Sequence, residues 1–286
     1  MSNDPHCALT PMPPDLPAPA RPVSKVRWSV HLALMAALPV VAAFGGAASR
    51  GDGPALTHTV RGLLAVCAFE VLFFAIPFGL AWLASRASRD DLLLRWRPGI
   101  LVVPLGVLYS VAIRLAAGIV VAIGVGIYIV STHASPAQVQ TFAAANRPQV
   151  EKLVDIQLLS HDPVYFWLTV ILVSLVIGGL REELWRSSFL AGLRSLWPRT
   201  FGSTGGGIAG AAIAALFFGA GHLPQGILAA AMIAVVGFLL GVIMTLHRSV
   251  WPSVVAHGLF DAASIAMLPW AMQHFQEWQR MTGQGG

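Results

Sequence analysis

The segment Val164-Tyr-Phe-Trp-Leu-Thr-Val-Ile-Leu-Val-Ser-Leu-Val-Ile-Gly-Gly-Leu180 is apolar almost throughout and runs directly into Arg181-Glu182-Glu183-Leu184-Trp185-Arg186. An apolar run of this length crosses hydrocarbon as a helix, because only a helix satisfies its own backbone where water is absent. Four charged residues within six positions then follow, in a chain of which only 11% is Asp, Glu, Lys or Arg. Ionisable groups at membrane depth are costly and mark functional sites when partners can be found for them.

Working outward from this stretch, the 286 residues are 56% hydrophobic, and the mean hydropathy is +0.71. Those values describe a lipid-embedded chain rather than soluble domains. The fold expected is all-α: a polytopic transmembrane helix bundle with about seven spans, near 28–48, 60–84, 99–130, 164–195, 206–222, 225–246 and 250–270. The third and fourth exceed the roughly 20 residues a bilayer requires, so they tilt or protrude. With the N-terminus inside, loop segments on the cytoplasmic side carry ten basic residues against five outside, which favours an N-in, C-out arrangement in the inner (cytoplasmic) membrane of a bacterial cell. Little Lys beside abundant Arg and Ala points to the bacterial source.

Four regions follow: a Pro-rich, disordered cytoplasmic tail over 1–25; transmembrane scaffold helices and a loop over 26–160; a helical core over 161–272 that holds most of the remaining chemically active side chains; and a short tail over 273–286. The polar stretch Ser131 to Asp162 reads as an external loop with a short surface helix around Pro136 to Leu159. A net charge of +5 and a pI near 9.9 do not signal nucleic acid, since the basic residues are scattered through short loops with no aromatic interleaving. Cys7 and Cys67 form neither a disulfide framework nor a metal-type pair. Glu70 and Arg114 fall midway along the second and third spans, where an ion pair between neighbouring helices would offset both desolvation costs.

Partners for the glutamates lie downstream. Phe218-Gly-Ala-Gly-His222 ends a Gly- and Ala-rich span, and Leu223-Pro224 stops the helix at once. His257-Gly-Leu-Phe-Asp261 puts an imidazole and a carboxylate on one face of the last span. Arg186 can reach back to Glu182 or Glu183, neutralising one carboxylate and leaving the other as a base. For the three segments to meet, the break at 221–224 has to lie at membrane depth, where irregular backbone is tolerated only against a protein-walled cavity. His-Glu-x-x-His and Gly-x-Ser-x-Gly signatures are absent from the sequence.

The order Glu-Glu…Arg, Phe-x-x-x-His, His-x-x-x-Asp resembles the CAAX protease and bacteriocin-processing (CPBP) family, which includes the type II CAAX prenyl endopeptidases. The resemblance covers about residues 165 to 268. It implies an intramembrane endopeptidase acting on a membrane-anchored or prenylated peptide, with membrane lipid as its surroundings. By the same resemblance Glu182 and His222 activate a water, while His257 and Asp261 bind the oxyanion. The same donors could instead hold a zinc ion with an open position for water. The chain departs from the family pattern in one spacing: Arg186 stands three residues after Glu183, where the family has four. Anchored on Phe189-Leu190, the alignment makes Glu182 the base; anchored on an i,i+4 ion pair, it makes Glu182 the paired residue and Glu183 the base. The first is preferred. Many family members also carry Asn where Asp261 stands, and an ionised Asp has no proton to donate. Competing readings are a non-catalytic membrane immunity or partner-binding protein on the same scaffold, and a proton-coupled transporter, against which the lack of an inverted repeat counts.

Overall fold

The structure is a computed structural model that describes residues 24–48, 58–146 and 154–281. The Pro-rich tail expected over 1–25 lies outside these apart from its last two residues. Every regular element among the described residues is helical. Besides two short 3-10 turns, Gly99–Leu101 and Leu223–Gln225, these are in chain order α1 (Lys25–Ala48), α2 (Val60–Ser85), α3 (Val102–Thr132), α4 (Pro136–Asn146), α5 (Ile156–His161) and α6 (Pro163–Leu168), then a π-helical segment (Thr169–Glu182), then α7 (Glu183–Leu196), α8 (Pro198–Phe201), α9 (Thr204–Gly221), α10 (Ile227–His247) and α11 (Trp251–Met281). Seven stretches are long and apolar enough to cross a membrane, with α6, the π segment and α7 forming one continuous stretch of 34 residues. The last helix runs on to Met281, past the end expected near residue 270.

Local sequence explains the boundaries. Thr59 caps α2 by accepting from the Gly62 N–H at 3.1 Å, and Asp162 caps α6 by accepting from the Val164 and Tyr165 N–H groups, with Pro163 in the first turn. The α9–α10 turn places Gly226 at φ 105°, a conformation that side chains with a Cβ rarely adopt.

The centre of the bundle is α7. Glu183 and all residues from Trp185 to Leu193 are buried, so this helix is covered on every side despite its charges. Trp185, Phe189, Leu190 and Leu193 pack with Met35 of α1, Phe74 of α2, Ala214 and Phe218 of α9 and Met244 of α10. Polar side chains fasten the outer helices to it. His31 of α1, itself fully buried, joins the Ala81 carbonyl and Ser85 hydroxyl of α2 on one ring nitrogen to Ser188 of α7 on the other, all at 2.9–3.0 Å. Trp185 donates its indole N–H to the Met35 carbonyl at 2.8 Å. Where two backbones must approach, glycine makes the room: a Cβ on Gly179 of the π segment would lie 2.9 Å from the Val254 carbonyl oxygen and 3.1 Å from the Gly258 Cα of α11.

Candidate active site

The two glutamates straddle the junction between the π segment and α7. Glu182 is the last π residue and Glu183 the first residue of α7. A π segment inside a long helix shifts the phase of the side chains that follow it, and such segments recur at functional sites. Here the two neighbouring carboxylates enter different surroundings.

Glu183 is fully buried. Its Oε1 accepts from Arg186 Nη1 and from His257 Nδ1, the latter at 2.8 Å, while Oε2 has no partner. Arg186, also fully buried, lies with its Cζ 4.7 Å from the centre of the Phe218 ring, a cation–π contact in a water-poor setting. Two α10 glycines leave room for it: a Cβ on Gly237 would come within 3.2 Å of Nη2, and one on Gly241 within 3.5 Å of Cδ. The ion pair therefore forms at i,i+3. The alternative i,i+4 contact of Arg186 with Glu182 is not made; Glu182 instead accepts from Arg181 and faces His257 of α11.

Glu182 is partly exposed, at 15% of its side-chain surface. It accepts from Arg181 Nη2 at 3.0 Å, and Arg181 in turn pairs with Glu70 of α2. Glu182 Oε2 stands 3.8 Å from His257 Nε2, and Asp261 Oδ2 stands 3.5 Å from the same nitrogen. Both separations are too long for good direct hydrogen bonds, so Nε2 is presented toward two carboxylates without being consumed by either. The expected pair between Glu70 and Arg114 does not form. Glu70 is taken by Arg181, while Arg114 donates to the Phe260 carbonyl at 2.8 Å and the Ser264 hydroxyl at 3.1 Å of α11.

His222 arrives from α9. Its Nδ1 donates to the Phe218 carbonyl at 2.7 Å, and its ring lies 4.7 Å from the Phe218 ring, whose other contacts include His257 at 6.3 Å, edge-on. Phe218 thus links the two histidines, although His222 makes no direct hydrogen bond to either glutamate. Its depth follows from register. α9 returns antiparallel to α7, with Gly210 against Leu190, Phe217 against Phe189, and Phe218 against Trp185 and Arg186. Continuing that register places His222 level with Glu182. On that register the break after Gly221 falls near the level of the junction between the π segment and α7.

Glu182, Glu183, Arg186, His257 and Asp261 thus form one contact network, with His222 attached through Phe218. Sequence reasoning missed two members of it, Arg181 and the Phe218 ring. The signal for Arg181 was Glu70, a carboxylate inside a neighbouring span that the sequence offered to Arg114 instead. Among the described residues, no three His, Cys, Asp or Glu side chains are placed to hold a metal ion. Glu183 is occupied by Arg186, and His222 makes no contact with Glu182, His257 or Asp261, so the donors of the zinc alternative do not form one cluster.

No curated protein and no solved structure matches the chain. Residues 163–263, which contain every one of these motifs, match the family described as type II CAAX prenyl endopeptidase Rce1-like, so the resemblance carried by the three motifs holds over that segment.

Proposed function

We propose that this multi-pass membrane protein is an intramembrane endopeptidase that hydrolyses a peptide bond of a membrane-tethered or prenylated substrate, with Glu182 as the base. The observation that carries this reading is the unequal treatment of the two glutamates: Glu183 is bonded to Arg186 and His257, whereas Glu182 keeps an oxygen 3.8 Å from His257 Nε2. In the reaction, Glu182 takes a proton from water, aided by His222, as the water oxygen attacks the peptide carbonyl carbon. Negative charge on the former carbonyl oxygen is met by Nε2–H of a doubly protonated His257, whose ring is fixed by its Nδ1–H bond to Glu183. Asp261 orients that ring from the other side. The C–N bond then breaks, and the leaving amine takes the proton held by Glu182. Orientation in the inner membrane is N-in, which places the ends of α7 and α10 carrying Arg194 and Arg248 toward the cytoplasm.

The spacing of Arg186 was the best argument for a non-catalytic partner-binding protein. That argument weakens once Arg186 is seen to pair with Glu183 at i,i+3, since positions three and four apart lie on the same side of a helix. The test is cleavage, read by mass spectrometry, of a panel of membrane-anchored peptides, prenylated members included, by the wild type and by Glu182→Ala, Glu183→Ala and His222→Ala. Loss of a defined cleavage in Glu182→Ala and His222→Ala is expected; cleavage unaffected by all three changes would sink the enzyme reading.

A further inference from the structure

Away from their ends, the spans carry the carboxylates Glu70, Glu182, Glu183 and Asp261 and the arginines Arg114, Arg181 and Arg186. Charge at membrane depth has to be balanced locally. Arg186 is committed to Glu183, and Arg181 is divided between Glu70 and Glu182. Asp261 and Arg114 are what remains. With His257 doubly protonated, as in the reaction above, the cations equal the anions in number.

Helix packing brings the remaining two together, although they form no direct ion pair. Arg114 stands twelve residues into α3. Its guanidinium donates to the Phe260 carbonyl at 2.8 Å and the Ser264 hydroxyl at 3.1 Å, and its Cζ lies 4.6 Å from the centre of the Phe260 ring. Those contacts fall one residue before and three residues after Asp261 on α11, so they hold the cation within electrostatic reach of that carboxylate. On its other sides Asp261 meets His257 Nε2 at 3.5 Å and the backbone of the π segment, where a Cβ on Gly178 would collide with Oδ2.

We infer that Arg114 is a positioning residue: it is the counter-charge of Asp261, and the pair acts on the reaction through His257. This rests on the endopeptidase reading above. Removing Arg114 alone leaves excess negative charge around His257, which Glu182 relieves by holding a proton, so that it no longer serves as the base. Removing the charge of Asp261 alone leaves excess positive charge, which His257 relieves by giving up the proton that meets the oxyanion. Removing both restores the balance, and asparagine at 261 still offers His257 an acceptor oxygen.

The test is a double-variant cycle on purified protein: Arg114→Gln, Asp261→Asn and the two together. Each is read by kcat and KM on a membrane-anchored peptide and by its unfolding midpoint. Each single change should lower kcat roughly ten- to a hundred-fold with KM little changed, and the double variant should recover most of that loss, as coupled neighbouring charges do. If Arg114 serves only to fasten α3 to α11 through Phe260 and Ser264, Arg114→Gln will be as slow with Asp261→Asn as without it. That result overturns the proposal, as does wild-type kcat in either single variant. The midpoints separate this idea from the reading beneath it. A wild type that cleaves nothing removes the protease; the charge pair then stands if the double variant is more stable than the summed single losses predict, and falls if the losses simply add.

Discussion

Glu182 and Glu183 are adjacent in sequence and chemically identical, yet they belong to two networks with opposite characters. Glu183, Arg186 and His257 Nδ1 form a closed, buried cluster at the middle of the bundle, roofed by Phe218 and bounded by the α10 glycines. Glu182, Arg181 and Glu70 form a looser chain in which every side chain keeps some exposure, from 15% to 35%. The difference teaches that burial alone does not make a base. A carboxylate sealed against a guanidinium is structural, because removing either charge strands the other in a low-dielectric interior. In the proposed mechanism the carboxylate beside it, shared with one arginine and open on its other oxygen, is the one that takes the proton.

The sharpest way to break this contrast is Arg186→Ala. Breaking this buried pair, with His257 the one remaining partner of Glu183, is expected to cost about 3–5 kcal/mol of stability, read as a lowered unfolding midpoint in detergent; a loss below about 1 kcal/mol would mean that the cluster is not closed. Next comes Gly237→Ala, whose Cβ would stand 2.9 Å from Phe218 Cδ1 and 3.2 Å from Arg186 Nη2. Overpacking there should cost about 1–3 kcal/mol by the same measurement, whereas alanine at Gly118, which has nothing within 4 Å, should be close to neutral. Glu70→Gln acts on the open network. It returns all of Arg181 to Glu182 and should slow peptide hydrolysis several-fold while changing stability by no more than about 1 kcal/mol; unchanged kinetics would detach Glu70 from the site.

The smallest effect belongs to a carboxylate outside the spans. Asp155 caps α5, and the Leu158 N–H bond at 3.0 Å, followed by His58 at 2.5 Å, holds its pKa below the usual carboxylate value. A depressed folded-state value means that its contribution is present above the ordinary pKa near 4 and is lost as pH falls through the lowered one. Hydrogen exchange over 155–161 should therefore speed up only in strong acid, and Asp155→Asn should flatten that response. An acid-insensitive wild type would show that the cap contributes nothing.

Much of the fold was legible because transmembrane spans follow directly from hydropathy: seven apolar runs became seven helical stretches, and the polar loop became short helices. The order of the motifs also exposed the residues that meet. Two things escaped. The π segment cannot be read from composition, and at its end Glu182 pairs with Arg181 while Glu183 takes Arg186 and His257 Nδ1. The pairing of Arg186 with Glu183 follows from that junction, where spacing alone left both glutamates open. The second was partner choice at long range. Glu70 and Arg114 had an evident match in charge, but helix packing gave Glu70 to Arg181 and left Arg114 on α11.

The most direct measurement sets Glu182→Gln beside Glu183→Gln in purified protein, recording hydrolysis of a membrane-anchored peptide and the unfolding midpoint for each. Glu182→Gln should lose roughly a hundred- to ten-thousand-fold in kcat, the range for a general base, with its midpoint unchanged. Glu183→Gln should instead lower the midpoint. Full activity in Glu182→Gln, or a destabilised Glu182→Gln beside a stable and inactive Glu183→Gln, would contradict the assignment.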